Sequence, residues 1–253
     1  MTNKLKYFVG NWKMFGSYGS VKILHQLHRF CSKFQKLNAN YKVIFCIPNT
    51  LIDFFGKKVK SKYVVLGAQN CHYNQNYGPF TGSVSASMLK NVGAKYVILG
   101  HSENRKEGDT ENIIKRKVES ALSKKLNIIF CIGETYKEKK NKKTSSIIKK
   151  QLRTIFNKKY NFKKIIIAYE PVWSIGTGRI PKIEDLKKTF KFIKKEVRSF
   201  LKSKNSSNVL YGGSVNSKNI RLFSKIPEID GFLIGGASQS SKKFIDIIKN
   251  YYK

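Results

Sequence analysis

Acid is scarce in this sequence: 15 Asp and Glu stand against 50 Lys and Arg, a formal net charge of +35. Cysteine is scarce too. The four present, Cys31, Cys46, Cys71 and Cys131, lack the close paired spacing of a zinc site or a disulfide framework. Cys46 and Cys131 lie in strand-like apolar runs, so buried, reduced thiols are expected and neither disulfides nor metal are. Only 5 Pro occur and no Gly/Ser/Pro-rich stretch marks a linker, so residues 1–253 are expected to form one domain. No apolar run nears the roughly 18 residues of a membrane-spanning helix, which argues against a membrane partner. A cleavable leader would have to remove Asn11 and Lys13, which carry a motif discussed below, so a cytoplasmic location is expected.

The basic excess would ordinarily suggest nucleic acid or an anionic membrane. Here the basic residues are scattered, with runs at Lys137 to Lys143 and Lys187 to Lys195, and no aromatic-interleaved binding motif accompanies them. The chain is also rich in Asn, Ile, Tyr and Phe, which share A/T-rich codons with Lys. Genome composition and a selected polyanion interaction are both open explanations, and no specific nucleic-acid partner is expected. Either way, an anionic substrate finds the surface attractive.

What is present is a regular alternation. Strand-like runs occur at Tyr7 to Val9, Lys42 to Ile47, Tyr63 to Leu66, Tyr96 to Leu99, Ile128 to Ile132, Ile165 to Ala168, Val209 to Leu210 and Phe232 to Ile234. Helical stripes lie between them. Ile183, Leu186, Phe190, Ile193, Val197 and Leu201 recur at spacings of three and four, with Pro181 expected in the first turn. Ile114, Val118, Ala121 and Leu122 form another stripe, as do Phe244, Ile247, Ile248 and Tyr251. Strands apolar on both faces, alternating with one-sided helices, call for a parallel sheet covered by helices. Eight such units predict an α/β fold, a closed (β/α)₈ barrel whose chemistry gathers after the carboxyl ends of the strands.

One stretch carries strand, carboxylate, hinge and tip in order. The run Ile165 to Ala168 leads through Tyr169 into Glu170, Pro171, Val172, Trp173, Ser174, Ile175, Gly176, Thr177, Gly178 and Arg179. A buried strand fixes where Glu170 points, Pro171 stiffens the exit, and the tip from Gly176 to Gly178 can swing over a ligand. The apolar hinge with Trp173 desolvates Glu170 and suits it to act as a base. His101 closes another strand-like run, with Ser102 and Glu103 behind it; at a helix start, the helix dipole disfavours imidazolium. Gly10, Asn11, Trp12 and Lys13 occupy the first strand exit. Gly212, Gly213 and Ser214 follow the seventh strand, and Gly235 and Gly236 follow the eighth, offering backbone N–H groups to a phosphate.

These motifs, in this order and spread from residue 10 to residue 237, resemble triosephosphate isomerase over essentially the whole chain. The resemblance implies an intramolecular aldose–ketose isomerase of glycolysis and gluconeogenesis. Such an enzyme interconverts D-glyceraldehyde 3-phosphate and dihydroxyacetone phosphate through an enediolate, with no cofactor and no metal. It implies that Glu170 is the base, that His101 is the electrophile, and that Lys13 supplies fixed positive charge. This family is itself the standard example of a neutral histidine electrophile opposite a glutamate base. Substrate contacts are implied for Asn11, Lys13, Gly176, Ser214, Gly235 and Gly236. Glu103 is expected to be a buried partner of Lys13, which is costly unless paired. Residues Pro171 to Arg179 form the implied lid, which excludes water so that phosphate elimination does not compete. The long loop from Gln69 to Ser83 is implied to buttress a neighbouring subunit, hence a homodimer.

Three positions depart from the family pattern. Asn104 replaces an Arg and Ser83 replaces a Glu, two side chains that normally meet across the dimer interface. Pro181 replaces a small residue with a free N–H at the second lid hinge. Closure is therefore expected to lean on Ser214 reaching the Gly178 region rather than on Tyr211. Other candidates are bland: His25 and His28 read as a solvated helix face, His72 has no evident partner, and Glu134 is assigned a structural job. Two rival readings make distinct demands on the sequence. A different phosphate-binding barrel enzyme would need a Schiff-base Lys within a strand or a metal cluster, and a decayed basic binding protein would show a damaged site; neither mark is present.

Overall fold

The computed structural model describes residues 4–34, 40–156, 160, 162–201 and 207–253. Eight strands are present: β1 (Lys6–Asn11), β2 (Tyr41–Cys46), β3 (Val64–Ala68), β4 (Tyr96–Leu99), β5 (Asn127–Ile132), β6 (Ile165–Tyr169), β7 (Val209–Tyr211) and β8 (Gly231–Ile234). Each pairs in parallel with its neighbours in chain order, and β8 closes onto β1, giving the expected (β/α)₈ barrel. The strand bounds differ from the sequence reading by one or two residues at most ends. Ladder hydrogen bonds recruit flanking residues such as Lys6, Asn127 and Gly231, which lack strand-like side chains.

Alternation along the strands makes two cores. On β5, Ile128, Phe130 and Ile132 face the helices, while Ile129 and Cys131 point into the barrel. The interior is filled by such inward residues, among them Val9, Ile44, Ile98, Ile166, Ala168, Leu210 and Leu233. The barrel is thus a packed support and not a pore. The expected helical stripes face the outer core: Leu186, Phe190, Ile193 and Val197 are buried on helix Ile183–Leu201, and Phe244, Ile247 and Ile248 on helix Ser241–Tyr252. All four cysteines are buried and unpaired.

One helix boundary differs from expectation. Pro181 lies outside its helix, and the Lys182 carbonyl accepts the first helical bond, from Leu186 N–H. Among the described residues no helix is long and apolar enough to cross a membrane, and no group of three His, Cys, Asp or Glu is placed to hold a metal ion.

Candidate active site

Lys13 sits just past the end of β1 with a left-handed backbone, φ 55°. That conformation costs a non-glycine residue about 1–3 kcal/mol, so its surroundings must impose it. Asn11 Oδ1 accepts the Lys13 backbone N–H at 3.0 Å, and Gln69 Nε2 donates to the Lys13 carbonyl at 2.9 Å. Next door, Trp12 is fully buried against Phe45 and Phe55, with its indole N–H bound to the Ser238 carbonyl. Gln239 Nε2 donates to the Trp12 carbonyl. Hydrogen bonds of about 1 kcal/mol each, together with Trp12 burial, offset the strain. Asn11 thus orients Lys13 through the backbone.

The Lys13 ammonium meets Glu103 Oε1 at 2.5 Å. The expected pairing is present but the expected burial is not: the Glu103 side chain is 52% exposed. The short helix Ser102–Lys106 carries it along the surface of the barrel mouth, whereas His101, two residues earlier at the N-cap, points inward. Burial would raise the Glu103 carboxyl, but the Lys13 hydrogen bond and the charges of His101 and Lys13 outweigh it and hold its pKa below the ordinary value.

His101 and Glu170 are both buried, and His101 Nε2 lies 3.4 Å from Glu170 Oε1. His101 Nδ1 accepts the Glu103 backbone N–H at 3.2 Å, capping the helix that follows. That bond requires a lone pair on Nδ1, so the neutral ring carries its proton on Nε2, facing Glu170 and the cavity. Burial lowers the His101 pKa, and the carboxylates of Glu170 and Glu103 raise it by more, so the net shift is upward. The helix-start effect is therefore expressed as this specific cap rather than as a net downward shift.

Several supports of this pair were not legible in the sequence. Arg105 donates to the carbonyls of Gly100 at 2.7 Å and Cys131 at 3.4 Å and pairs with Glu111, tying the β4 exit to β5. The Cys131 thiol interacts with the Glu170 carboxylate, and burial together with that charge pushes its pKa well up. A Cβ on Gly212 would come 2.6 Å from Glu170 Cγ, so glycine there is a condition for the placement of the carboxylate.

The stretch after Glu170 starts as a 3₁₀ turn, Val172–Ser174, and reaches its tip at Gly176 and Gly178, both with positive φ. Its first hinge is anchored on β5's exit: Glu134 accepts the Trp173 indole N–H at 3.1 Å and the Tyr169 hydroxyl at 3.1 Å, and its carbonyl accepts Val172 N–H. The structural job expected for Glu134 is this anchor. Lys139 Nζ lies 3.8 Å from the centre of the Trp173 ring. Thr177 Oγ1 accepts the Arg179 N–H at 3.2 Å and donates back to the turn. Ser174 is fully buried, and its hydroxyl meets Arg179, Tyr211 and Ser214. Tyr211 thus meets the lid through Ser174 rather than through position 181, where Pro181 has no N–H to give.

Lys13, His101, Glu170, Ile175 and Gly176 line one cavity of about 560 Å³ with Gly212, Gly213, Ser214, Gly235 and Gly236. Not every glycine-loop amide is free for a ligand. Gly212 N–H continues the ladder to the Tyr169 carbonyl, and Ser214 N–H faces Ser174 Oγ at 3.4 Å. Gly235 leads into a 3₁₀ turn, Gly236–Gln239. Lys218 and Lys243 also reach this wall; among 50 basic residues nothing in the sequence singled them out. His25, His28 and His72 lie away from it. His28 Nδ1 meets Ser61 Oγ, and His72 Nδ1 accepts Asn74 N–H while its ring packs on Phe80.

A buried carboxylate and imidazole facing each other, an ammonium at one side and glycine turns at the other define a barrel enzyme suited to proton transfer on a small phosphorylated substrate. The profile of the triosephosphate isomerase family matches residues 6–251. Triosephosphate isomerases of the yeasts Zygosaccharomyces bailii and Saccharomyces cerevisiae are each 39% identical, covering 96% of this chain and 98% of their own lengths. The crystal structure of triosephosphate isomerase from Bartonella henselae superposes with a TM-score of 0.88 at 34% identity, covering 98% of this chain and 99% of its own. The chain belongs to the triosephosphate isomerase family.

Proposed function

We propose that this chain interconverts D-glyceraldehyde 3-phosphate and dihydroxyacetone phosphate, acting as one 253-residue catalytic unit that pairs as a homodimer in the cytoplasm. The observation that carries the reading is that Glu170 and His101 Nε2 meet at 3.4 Å on the wall of a cavity that Lys13 also lines. Glu170 removes a proton from the carbon beside the carbonyl. His101 Nε2–H donates to the carbonyl oxygen and relays a proton between the two substrate oxygens, and Glu170 returns its proton to the neighbouring carbon. Lys13, held by Asn11 and Glu103, stabilises the enediolate charge. Ser214, Gly235, Gly236 and the Gly176 amide hold the phosphate, and the lid from Pro171 to Arg179 closes over it. The reaction moves protons only, so the proposal calls for no metal or cofactor.

The test is a coupled isomerase assay in both directions with Glu170→Gln as control. Turnover in the wild type and loss on the order of 10³-fold or more in the variant is the expected result. Comparable rates in both would overturn the assignment.

A further inference from the structure

Ser174 is the point where three segments of the active-site rim meet. Its hydroxyl donates to the Arg179 carbonyl at 2.5 Å, lies 3.2 Å from the Tyr211 hydroxyl, and faces the Ser214 N–H at 3.4 Å. A serine hydroxyl has one proton and two lone pairs. Its single proton is committed to the Arg179 carbonyl, which can only accept. The Tyr211 hydroxyl is therefore the donor in their contact, and the Ser214 N–H, at longer range, takes the other lone pair. All three valences of Ser174 Oγ are used, and they join the lid's first hinge, its second hinge and the loop after β7.

The surroundings are built for this contact. Ser174 and Tyr211 are both fully buried, so no water substitutes cheaply for the hydroxyl. A Cβ on Gly213 would come 2.3 Å from Tyr211 Oη and 2.7 Å from Ser174 Oγ, so glycine there leaves the two hydroxyls room to meet. Burial pushes the Tyr211 phenol up to about 12 while the Ser174 bond pulls it down, so it stays a donor at neutral pH. Pro181, at the second hinge, has no N–H to compete for the phenol.

We propose that the Ser174 hydroxyl is the latch of the lid: a positioning residue, touching no substrate, that ties both hinges to Tyr211 and sets how long the rim stays assembled during turnover. The inference rests on the proposed isomerase activity for its kinetic readout but has a second readout that does not. A latch acts on the bound state during the chemical steps, so its loss lowers kcat more than it raises KM and lets the enediolate shed phosphate.

Ser174→Ala, Tyr211→Phe and the double variant should be compared for kcat, KM and the fraction of turnovers that release inorganic phosphate. In parallel, limited trypsin digestion with mass mapping should follow cleavage after Arg179 relative to sites elsewhere. Each single variant is expected to lose about tenfold in kcat with KM nearly unchanged and to release more phosphate, and the double variant should be no worse than either single. Cleavage after Arg179 should rise selectively. Unchanged kcat in Ser174→Ala, multiplying losses in the double variant, or uniformly raised cleavage at all sites would overturn the latch. Should the wild type lack isomerase activity, selective cleavage after Arg179 in both single variants still supports the latch while the activity reading falls.

Discussion

Glu170 Oε1 lies 3.4 Å from His101 Nε2, and both side chains are buried at the mouth of the barrel. The distance is longer than an optimal hydrogen bond, and Glu170 Oε2 is buried with no hydrogen-bond partner among the described residues. An unsatisfied buried carboxylate oxygen is costly. Such an arrangement leaves the lone pairs of Oε2 free to meet a ligand.

Shortening this arm tests how tightly position matters. Glu170→Asp retracts the carboxylate by about 1 Å, a displacement worth on the order of 10²-fold in rate. The variant should keep its thermal midpoint and its KM while kcat falls by that factor. Near wild-type turnover would remove Glu170 from the role of base.

Glu134 gives a pH prediction. Its burial raises its pKa above the ordinary 4.5, only partly offset by the Trp173 and Tyr169 hydrogen bonds. Folding therefore takes up a proton between the unfolded pKa and the raised folded one, and stability falls as pH rises through that window. Glu134→Gln keeps the shape and the acceptor but not the titration. The stability of the wild type relative to Glu134→Gln should be greatest near pH 4.5 and decline upward until the folded group is fully ionised. Thermal melts of both proteins from pH 4.5 to 8 decide it; a difference that is flat or grows with pH contradicts the account.

The lysines on the cavity wall predict a salt effect. A dianionic substrate should be captured faster at low ionic strength, where the Debye length is about 30 Å, than near 0.15 M, where it is about 8 Å. Lys218→Gln with Lys243→Gln should lower kcat/KM at low salt and flatten its dependence. Measurements with a viscogen control and an inert salt check this. An unchanged slope in the double variant would assign steering to the overall charge of +35 instead.

For the proposed dimer, the loss of both partners of an interface ion pair should be nearly neutral. Removing one member of a buried pair costs about 3–5 kcal/mol because a charge is stranded; Ser83 and Asn104 strand none. Asn104→Arg alone should weaken association and Ser83→Glu added to it should restore it, as sedimentation of the four species would show. A wild-type monomer at micromolar concentration would remove the dimer from the proposal.

Sequence by itself determined the barrel, because eight two-faced apolar runs alternating with one-sided helices have one economical way to bury their surfaces. It also determined the ends of the strands from which Lys13, His101 and Glu170 emerge, since a short strand fixes the direction of the residue that follows it. Only the tertiary structure decided what surrounds them. Glu103 proved half exposed because a helix turn, not its neighbours in sequence, sets its direction. Gly212 N–H proved spent on Tyr169, and Lys218, from the turn after β7, and Lys243, from the first turn of helix Ser241–Tyr252, reached the cavity from stretches that look like any other basic stretch. The Ser174 contacts with Tyr211 and Ser214 span up to 40 positions in the chain. A hydroxyl carries no periodicity, so its partners exist only once β6 and β7 lie side by side.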